Sequence, residues 1–485
     1  MFGDVKFDIS DDLDKKYFSK IADTLPDLKD EHYSMKKMSK ILEKITSISI
    51  YKNLEFINST VKETVKGNKV DIIINIEQLE KFYVERINIL GNTITKDNVI
   101  RSAMITDEGD PFNYLLLNKS VNNIKSKRLF AKVEGNVKDG SQKDLKIIEI
   151  EVEEKPTGEL SAGAGAGTSG TSFQFGVKEN NWLGNGISLE ANVKISDESL
   201  KGKFAVTNPN YNYSGNAITT SLESTTTDKL SDYGYKTSKT GIRFNTFFEQ
   251  YEDFFVSPTI SIFGEKLDTN TNASTQLRKQ DGSYFDADLQ YSLVKDKRNQ
   301  KFQPTDGFRY SFTQKLPLYS DGSTMINGLD SSSYYSFNEN FIGSFRFYSR
   351  AATTLSNNDD VRISDRIYIP SRYLRGFEYG KIGPKDSGDY IGGNYAAAAS
   401  AILSMPNAFT NFQNTELSWF FDAGNVWGVD YNSTLSESSS LRSSMGLAVD
   451  WVTPVGPFTF SYALPITKDD TDKTESVRFN IGTTF

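Results

Sequence analysis

From Pro156 onward, apolar and polar residues alternate with a period of two. Between 187 and 195, Ile187, Leu189, Ala191, Val193 and Ile195 interleave with Ser188, Glu190, Asn192 and Lys194. Phe285, Ala287, Leu289, Tyr291 and Leu293 do the same, as do Phe458, Phe460, Tyr462 and Leu464. The last stretch sets Val477, Phe479, Ile481, Thr483 and Phe485 against Arg478, Asn480, Gly482 and Thr484. A strand turns successive side chains to opposite faces, so such a chain builds sheet that is apolar on one side only. Dividing it at Gly, Asn, Asp and Pro clusters predicts sixteen strands. They start near 159, 171, 187, 200, 217, 234, 254, 282, 307, 332, 344, 393, 414, 440, 456 and 475. Sixteen is even, and about 20 residues per strand and turn suits a tilted strand that crosses a bilayer. Fourteen and eighteen are the neighbouring counts. The expectation is a 16-stranded antiparallel transmembrane β-barrel, closed because an open edge in lipid leaves backbone groups unpaired.

The chain carries 33 Phe and 24 Tyr but no Cys and one His, His32, with a net charge of −8. Disulfides and thiolate metal sites are excluded, and a multi-histidine metal site with them. His32, among Lys29, Asp30 and Glu31, reads as a solvated loop residue. No basic footprint for nucleic acid is present. Met1 is followed by Phe2-Gly3-Asp4-Val5 rather than a basic then apolar targeting segment. Either the protein is cytosolic or its true N-terminus lies upstream.

Residues 1–155 read differently. Met35, Met38, Ile41, Leu42, Ile45 and Ile48 fall on one helical face, and Leu117, Val121 and Ile124 repeat the arrangement. Met38 and Leu117, Leu42 and Val121, Ile45 and Ile124, Ile50 and Leu129, Tyr51 and Phe130 are all 79 residues apart, which marks an internal repeat. Strand patterns bracket each copy, in the order strand, helix, helix, strand, strand. The unit resembles the POTRA module, a β-α-α-β-β unit of the periplasm. The expected domains are 1–80 and 81–155, both POTRA-like, and the barrel 156–485 with a long loop at 356–392. A POTRA sheet edge offers main-chain hydrogen bonds to another strand.

Gly165-Ala166-Gly167-Thr168-Ser169-Gly170 matches a dinucleotide-binding pattern by letter, but that site needs a following helix. Ser172 to Val177 alternates as a strand instead, so nucleotide binding is rejected. Gly163, Gly165 and Gly167 share one face of the first barrel strand, opposite Ala162, Ala164 and Ala166. Glycine packs no side chain and loses more backbone entropy, so this strand is expected to form a weak seam with residues 475–485. Phe479, Gly482 and Phe485 lie in that partner. The other reading is that the glycines give room to the lumen.

Arg372 to Pro384 lies in the long loop and mixes cations, aromatics and glycines. Arg375-Gly376-Phe377 there is followed by Ile382-Gly383-Pro384-Lys385 and Gly392-Gly393-Asn394. Further on come Phe420-Phe421-Asp422-Ala423-Gly424-Asn425-Val426-Trp427, Trp451 to Pro457, and Phe479-Asn480-Ile481-Gly482. In order over about 110 residues, these blocks resemble the BamA/TpsB superfamily of outer-membrane insertases and secretion pores, on the BamA-like side. The resemblance implies a loop folded into the lumen, its Arg375 pairing with an acidic residue of the wall. Asp422 matches that position, and alternation with Leu417, Trp419 and Phe421 turns it inward independently. A second acidic partner in the family corresponds to Ile402, where this chain departs from the pattern; Glu378 and Asp386 are the candidates to replace it.

The resemblance implies an outer-membrane insertase for β-barrel proteins, with its POTRA modules in the periplasm. Its partners are then unfolded outer-membrane proteins, accessory BAM lipoproteins and outer-membrane lipid. No covalent chemistry is implied, so neither an enzyme nor a cofactor is expected. The family's insertase has five POTRA modules and a signal peptide, so the chain is expected to begin inside a longer periplasmic arm. The alternative function is two-partner secretion of the TpsB type, in which the barrel passes a polypeptide.

Overall fold

The computed structural model describes residues 2–482 except 11–12, 30–37, 39–40, 43, 46–47, 49–56, 67–68, 79–81, 169, 232, 302, 357–359, 407, 410–414, 430–434, 436–439 and 454–455. His32, Met35, Ile50, Tyr51 and Phe485 lie outside the described residues. The chain divides into two compact units, Met1–Thr157 with Leu183–Gly186, and Gly158–Trp182 with Ile187–Phe485.

The first unit holds two sheets with one topology. Phe2–Ile9 runs parallel to Lys69–Gln78, which pairs antiparallel with Ile57–Lys66. Likewise Tyr83–Leu90 runs parallel to Leu145–Glu154, which pairs antiparallel with Phe130–Asp139. Each sheet is built on its third strand because that strand carries the alternating aliphatics. Ile72, Ile74 and Ile76 are buried in the first sheet; Ile148, Ile150 and Val152 are their counterparts in the second. The helix Tyr114–Ser126 lays Leu117, Val121 and Ile124 into the second core. Met38 and Ile45, 79 residues earlier, lie in the first core, with Leu42 packed against it. Burying one such side chain contributes about 1.5–3 kcal/mol. Among the described residues Ile57–Lys66 and Phe130–Asp139 pair along one edge only, whereas the outer edge of Tyr83–Leu90 is partly covered, Val84 donating to Asp110 O at 2.9 Å and accepting from Gly109 N–H at 2.7 Å.

In the second unit sixteen antiparallel strands close into a barrel. The order is sequential, and the sixteenth strand, Val477–Gly482, returns to the first, Gly158–Gly167. Apolar residues of the alternating pattern face out: Phe173, Phe175, Val193, Phe345, Trp419, Phe421, Leu447 and Tyr462 are all exposed. Polar residues face in, as with Ser261, Asp286, Ser400, Asp422 and Ser444, which are buried. The six-residue dinucleotide-like motif sits on the hairpin between the first strand and the second, Gly170–Trp182.

One expected boundary is corrected. The tenth strand begins at Thr324 rather than near 332. Asn327, Gly328 and Asp330 look like a turn by composition, yet all three are paired across both neighbouring strands. The amide of Asn327 is satisfied within the sheet, since its Oδ1 accepts from Gln314 Nε2 at 2.6 Å and Gln314 Oε1 accepts from Tyr291 Oη at 2.6 Å. A polar residue with its hydrogen bonds made in the sheet does not interrupt it. The eleventh strand begins at Phe341, three residues before the expected start.

Candidate functional site: a tie in the lumen and the seam of the barrel

Between Thr354 and Tyr395 the chain leaves the wall and turns inward. Short helical turns at Ile363–Asp365 and Ser371–Tyr373 compact it, and Ile367 exchanges two backbone hydrogen bonds with Gly393, at 2.8 and 3.1 Å. Val361, Ile367, Ile369, Tyr373, Leu374, Phe377 and Ile382 pack against Tyr348, Ala352, Ala396, Ala398 and Val426 of the wall. A long segment with this many aliphatics is held by burial, which a polar surface loop is not.

Arg375 meets Asp422. Its Nε and Nη2 donate to the two carboxylate oxygens at 2.8 Å each, and its backbone N–H donates to Oδ2 at 2.9 Å. The Asp422 side chain is fully buried, so three donors on one carboxylate are what makes its burial tolerable. The guanidinium also lies 3.5 Å from the ring centre of Phe420, two residues along the same inward row. Ile402 is buried too, but in a small apolar cluster with Phe420, Ala448 and Ala463. Where the resemblance implies a second acid, this chain backs the aromatic ring instead. Glu378 donates its backbone N–H to Lys473 O at 3.0 Å, and Asp386 sits in a separate two-strand turn.

Gly376 has a φ of +88°, and an added Cβ would lie 3.2 Å from Ser444 Cβ and 3.3 Å from Ala463 Cβ. Only glycine takes that turn without strain. The turn lets Gly376 and Phe377 pair as a strand with Glu475 and Thr474. Arg478 Nη2 donates to Phe377 O at 3.2 Å, and Ser444 Oγ donates to Arg375 O. The motif is therefore bonded to the residues that lead into the sixteenth strand. Ile382, Gly383 and Pro384 are buried beside it, Gly383 against Val426.

The seam is short. Among the described residues, Asn480, Ile481 and Gly482 oppose Gly167, Ala166 and Gly165, three pairs against ten between the first strand and the second. Thr168 adds one bond, from its N–H to Phe479 O at 3.2 Å. A Cβ at Gly167 would stand 2.5 Å from the Phe479 carbonyl oxygen, so glycine is what allows the closest approach there. Gly163 lies outside these three pairs, opposite Gln174 of the second strand. The Phe479 side chain faces out.

Two further groups were not singled out by sequence. Arg362, 4% exposed, donates to Glu265 Oε2 at 2.7 Å and to Asp286 at 2.8 and 3.1 Å. Tyr233, Tyr368 and Tyr379 form an aromatic cage over which Lys229 sits, and Lys381 Nζ lies 4.4 Å from the Tyr233 ring centre and 5.2 Å from that of Tyr390. Alternation already turned Asp286 inward; nothing local to it named a partner 76 residues away.

The match to known families follows the same outline. The Omp85 superfamily domain matches residues 181–485. The chain belongs to the Omp85 superfamily. A POTRA repeat, described as a surface antigen variable number repeat, matches residues 82–155. This Omp85 protein is thus an outer-membrane β-barrel with a periplasmic POTRA part, and the BamA-like resemblance holds. It is 26% identical over 480 residues to the outer membrane protein assembly factor BamA of Neisseria meningitidis serogroup B, covering 86% of this chain and 58% of that protein. The BamA of Nitratidesulfovibrio vulgaris is also 26% identical, over 88% of this chain and 54% of its own. The chain spans a little over half the length of these curated relatives. A crystal structure of BamA from Haemophilus ducreyi lacking POTRA domains 1–3 superposes with a TM-score of 0.78 at 23% identity, over 100% of this chain and 99% of that one. CdiB from Acinetobacter baumannii gives 0.50 at 12% identity, over 99% of this chain and 90% of that one.

Proposed function

We propose that this protein folds β-barrel clients into the outer membrane by strand exchange at its seam. The observation that carries the reading is the inequality of the first strand's two edges, three opposed pairs on one side and ten on the other among the described residues. An unpaired strand edge is a template for another strand, and in lipid it is a costly one to leave open. A client strand that pairs with it relieves that cost. The outer edges of Ile57–Lys66 and Phe130–Asp139 offer a sequence-tolerant place for the unfolded client to pair first. The Arg375–Asp422 pair, bidentate and desolvated, holds the inward segment in register with the wall. No covalent bond is made or broken in this scheme, which calls for no enzyme chemistry. The partners are unfolded outer-membrane proteins, accessory lipoproteins of the BAM type and outer-membrane lipid.

Relatives named outer membrane protein assembly factor support this reading over secretion through the pore, as does the higher TM-score to BamA than to CdiB. Reconstitution in liposomes with an unfolded barrel protein outside tests it. Faster folding of the client into the bilayer is the expected result. Client released into the liposome lumen without insertion would refute it in favour of the secretion function.

A further inference from the structure

We propose that Arg362 is the far anchor of the inward segment, which makes residues 362–377 a strut laid across the barrel from the wall opposite the seam to the strand that closes it. The inference rests on the seam reading above. Glu265 lies on the seventh strand, Phe254–Thr269, and Asp286 on the eighth, Gly282–Asp296. In a closed ring of sixteen, the eighth strand is half-way round from the sixteenth. Arg362 fastens the segment there: its guanidinium bonds both carboxylates and lies 4.0 Å from the Tyr284 ring centre. Ser320 Oγ on the ninth strand donates to Asp286 Oδ1 at 2.6 Å, fixing that acid. The tie continues along the segment. Asp365 accepts from Lys315 Nζ at 3.0 Å, Tyr373 lies in the lumen core, Arg375 holds Asp422, and Gly376 and Phe377 pair with Glu475 and Thr474. From the eighth strand to the entrance of the sixteenth, each step is a bond or a buried contact.

The chemistry of the far anchor differs from an ordinary pair. One guanidinium separates two buried carboxylates, so removing it both cuts the tie and leaves two like charges facing each other. The two acids then repel each other and one is driven to take up a proton, and the strut loses its footing. Arg362 touches no client in this scheme; it is a positioning residue.

The chain has no cysteine, so a pair introduced at Ala166→Cys and Ile481→Cys, which oppose each other across the seam, reports its closure by disulfide formation. With Arg362→Ala the crosslinking rate is expected to fall about ten-fold, well within what losing one partner of a buried ion pair can shift. Arg362→Lys keeps the charge and restores part of the rate. The double variant Glu265→Gln with Asp286→Asn weakens the same tie by removing both counter-charges without the repulsion, and serves if Arg362→Ala fails to fold. Resistance of the barrel to heat in detergent checks that each variant is folded. An unaltered crosslinking rate in folded Arg362→Ala and in the double variant overturns the strut. Client folding is followed in parallel. If the wild-type chain folds no client while Arg362→Ala still slows crosslinking, the insertase reading fails and the strut stands; the reverse result removes the strut alone.

Discussion

Asp422 in the barrel lumen and Glu154 in the POTRA repeat of residues 82–155 are both acids tied down by several donors, and the two regions supply those donors differently. Asp422 is matched by a guanidinium that arrives from a segment 47 residues away. Glu154 is matched by neutral groups of its own unit: Thr93 Oγ1 at 2.7 Å and the backbone N–H groups of Thr93, Ile94 and Thr95 at 3.0, 2.9 and 2.6 Å. Partial burial pushes the Glu154 carboxyl up, but the hydroxyls of Thr93 and Thr95 and the N–H groups of Thr95 and Ile94 outweigh it and hold the group at about 2. The neutral cap staples a turn to the end of a strand and is part of one folded unit. The ionic tie joins the inward segment to the barrel wall, two parts far apart in the chain. It lasts only while the segment stays inside.

The comparison breaks most visibly at Asp422. Asp422→Asn leaves Arg375 buried without its counter-charge, and the barrel is expected to lose about 3–5 kcal/mol. A lower temperature of heat-induced unfolding on a detergent gel measures it, together with new proteolysis between 362 and 377. Gly376→Ala keeps both charges but forces a side chain into the left-handed region beside Ser444 and Ala463. A loss of about 1–3 kcal/mol in the same assay is expected, with the ion pair strained rather than cut. In the POTRA unit, Glu154→Gln should cost about 1 kcal/mol at neutral pH, the size of charge-assisted bonds discounted for solvent access. Its folded pKa is depressed, so the carboxylate stabilises the unit above about 4.5 and that share is lost as pH falls toward about 2. Urea unfolding of the full chain across that window should show a flatter profile in the variant, while Asp422→Asn leaves this profile unmoved. The smallest effect is expected at Glu265→Gln, under about 1 kcal/mol, because Arg362 keeps Asp286 and one of two facing acids is neutralised.

Much of the barrel was legible because period two fixes which way a residue faces, and a lipid-facing strand tolerates few exceptions. Strand starts at 187, 217, 254, 282, 307 and 456 were read to the residue. The exception at Asn327 is one in which a polar side chain found its partner on the next strand, and composition carries no trace of that. Facing is also as far as periodicity reaches. It turned Asp422 and Asp286 inward alike, and a resemblance in the loop supplied Arg375 for the first. Nothing local supplied Arg362 for the second. Which inward residues meet depends on the stagger of the strands and the path of a segment of some forty residues, and neither leaves a short-range mark. The change of environment at Ile402 has the same origin. The sequence reads as a missing acid, and only the packing of Phe420 against it reveals what replaced the charge.

The way the inward segment is held also sets when it can be put in place. Its bonds reach Glu265, Asp422 and Arg478, which stand 97, 47 and 101 residues away in the chain. None of those partners exists as a site until the strands on both sides of the lumen have closed. Docking is therefore a late event in the protein's own assembly, and interactions formed after the rate-limiting step govern how fast a fold is lost rather than how fast it is reached. The segment acts as a kinetic lock on the finished barrel: Arg375→Ala should shorten the folded lifetime in detergent while leaving the rate of assembly unchanged.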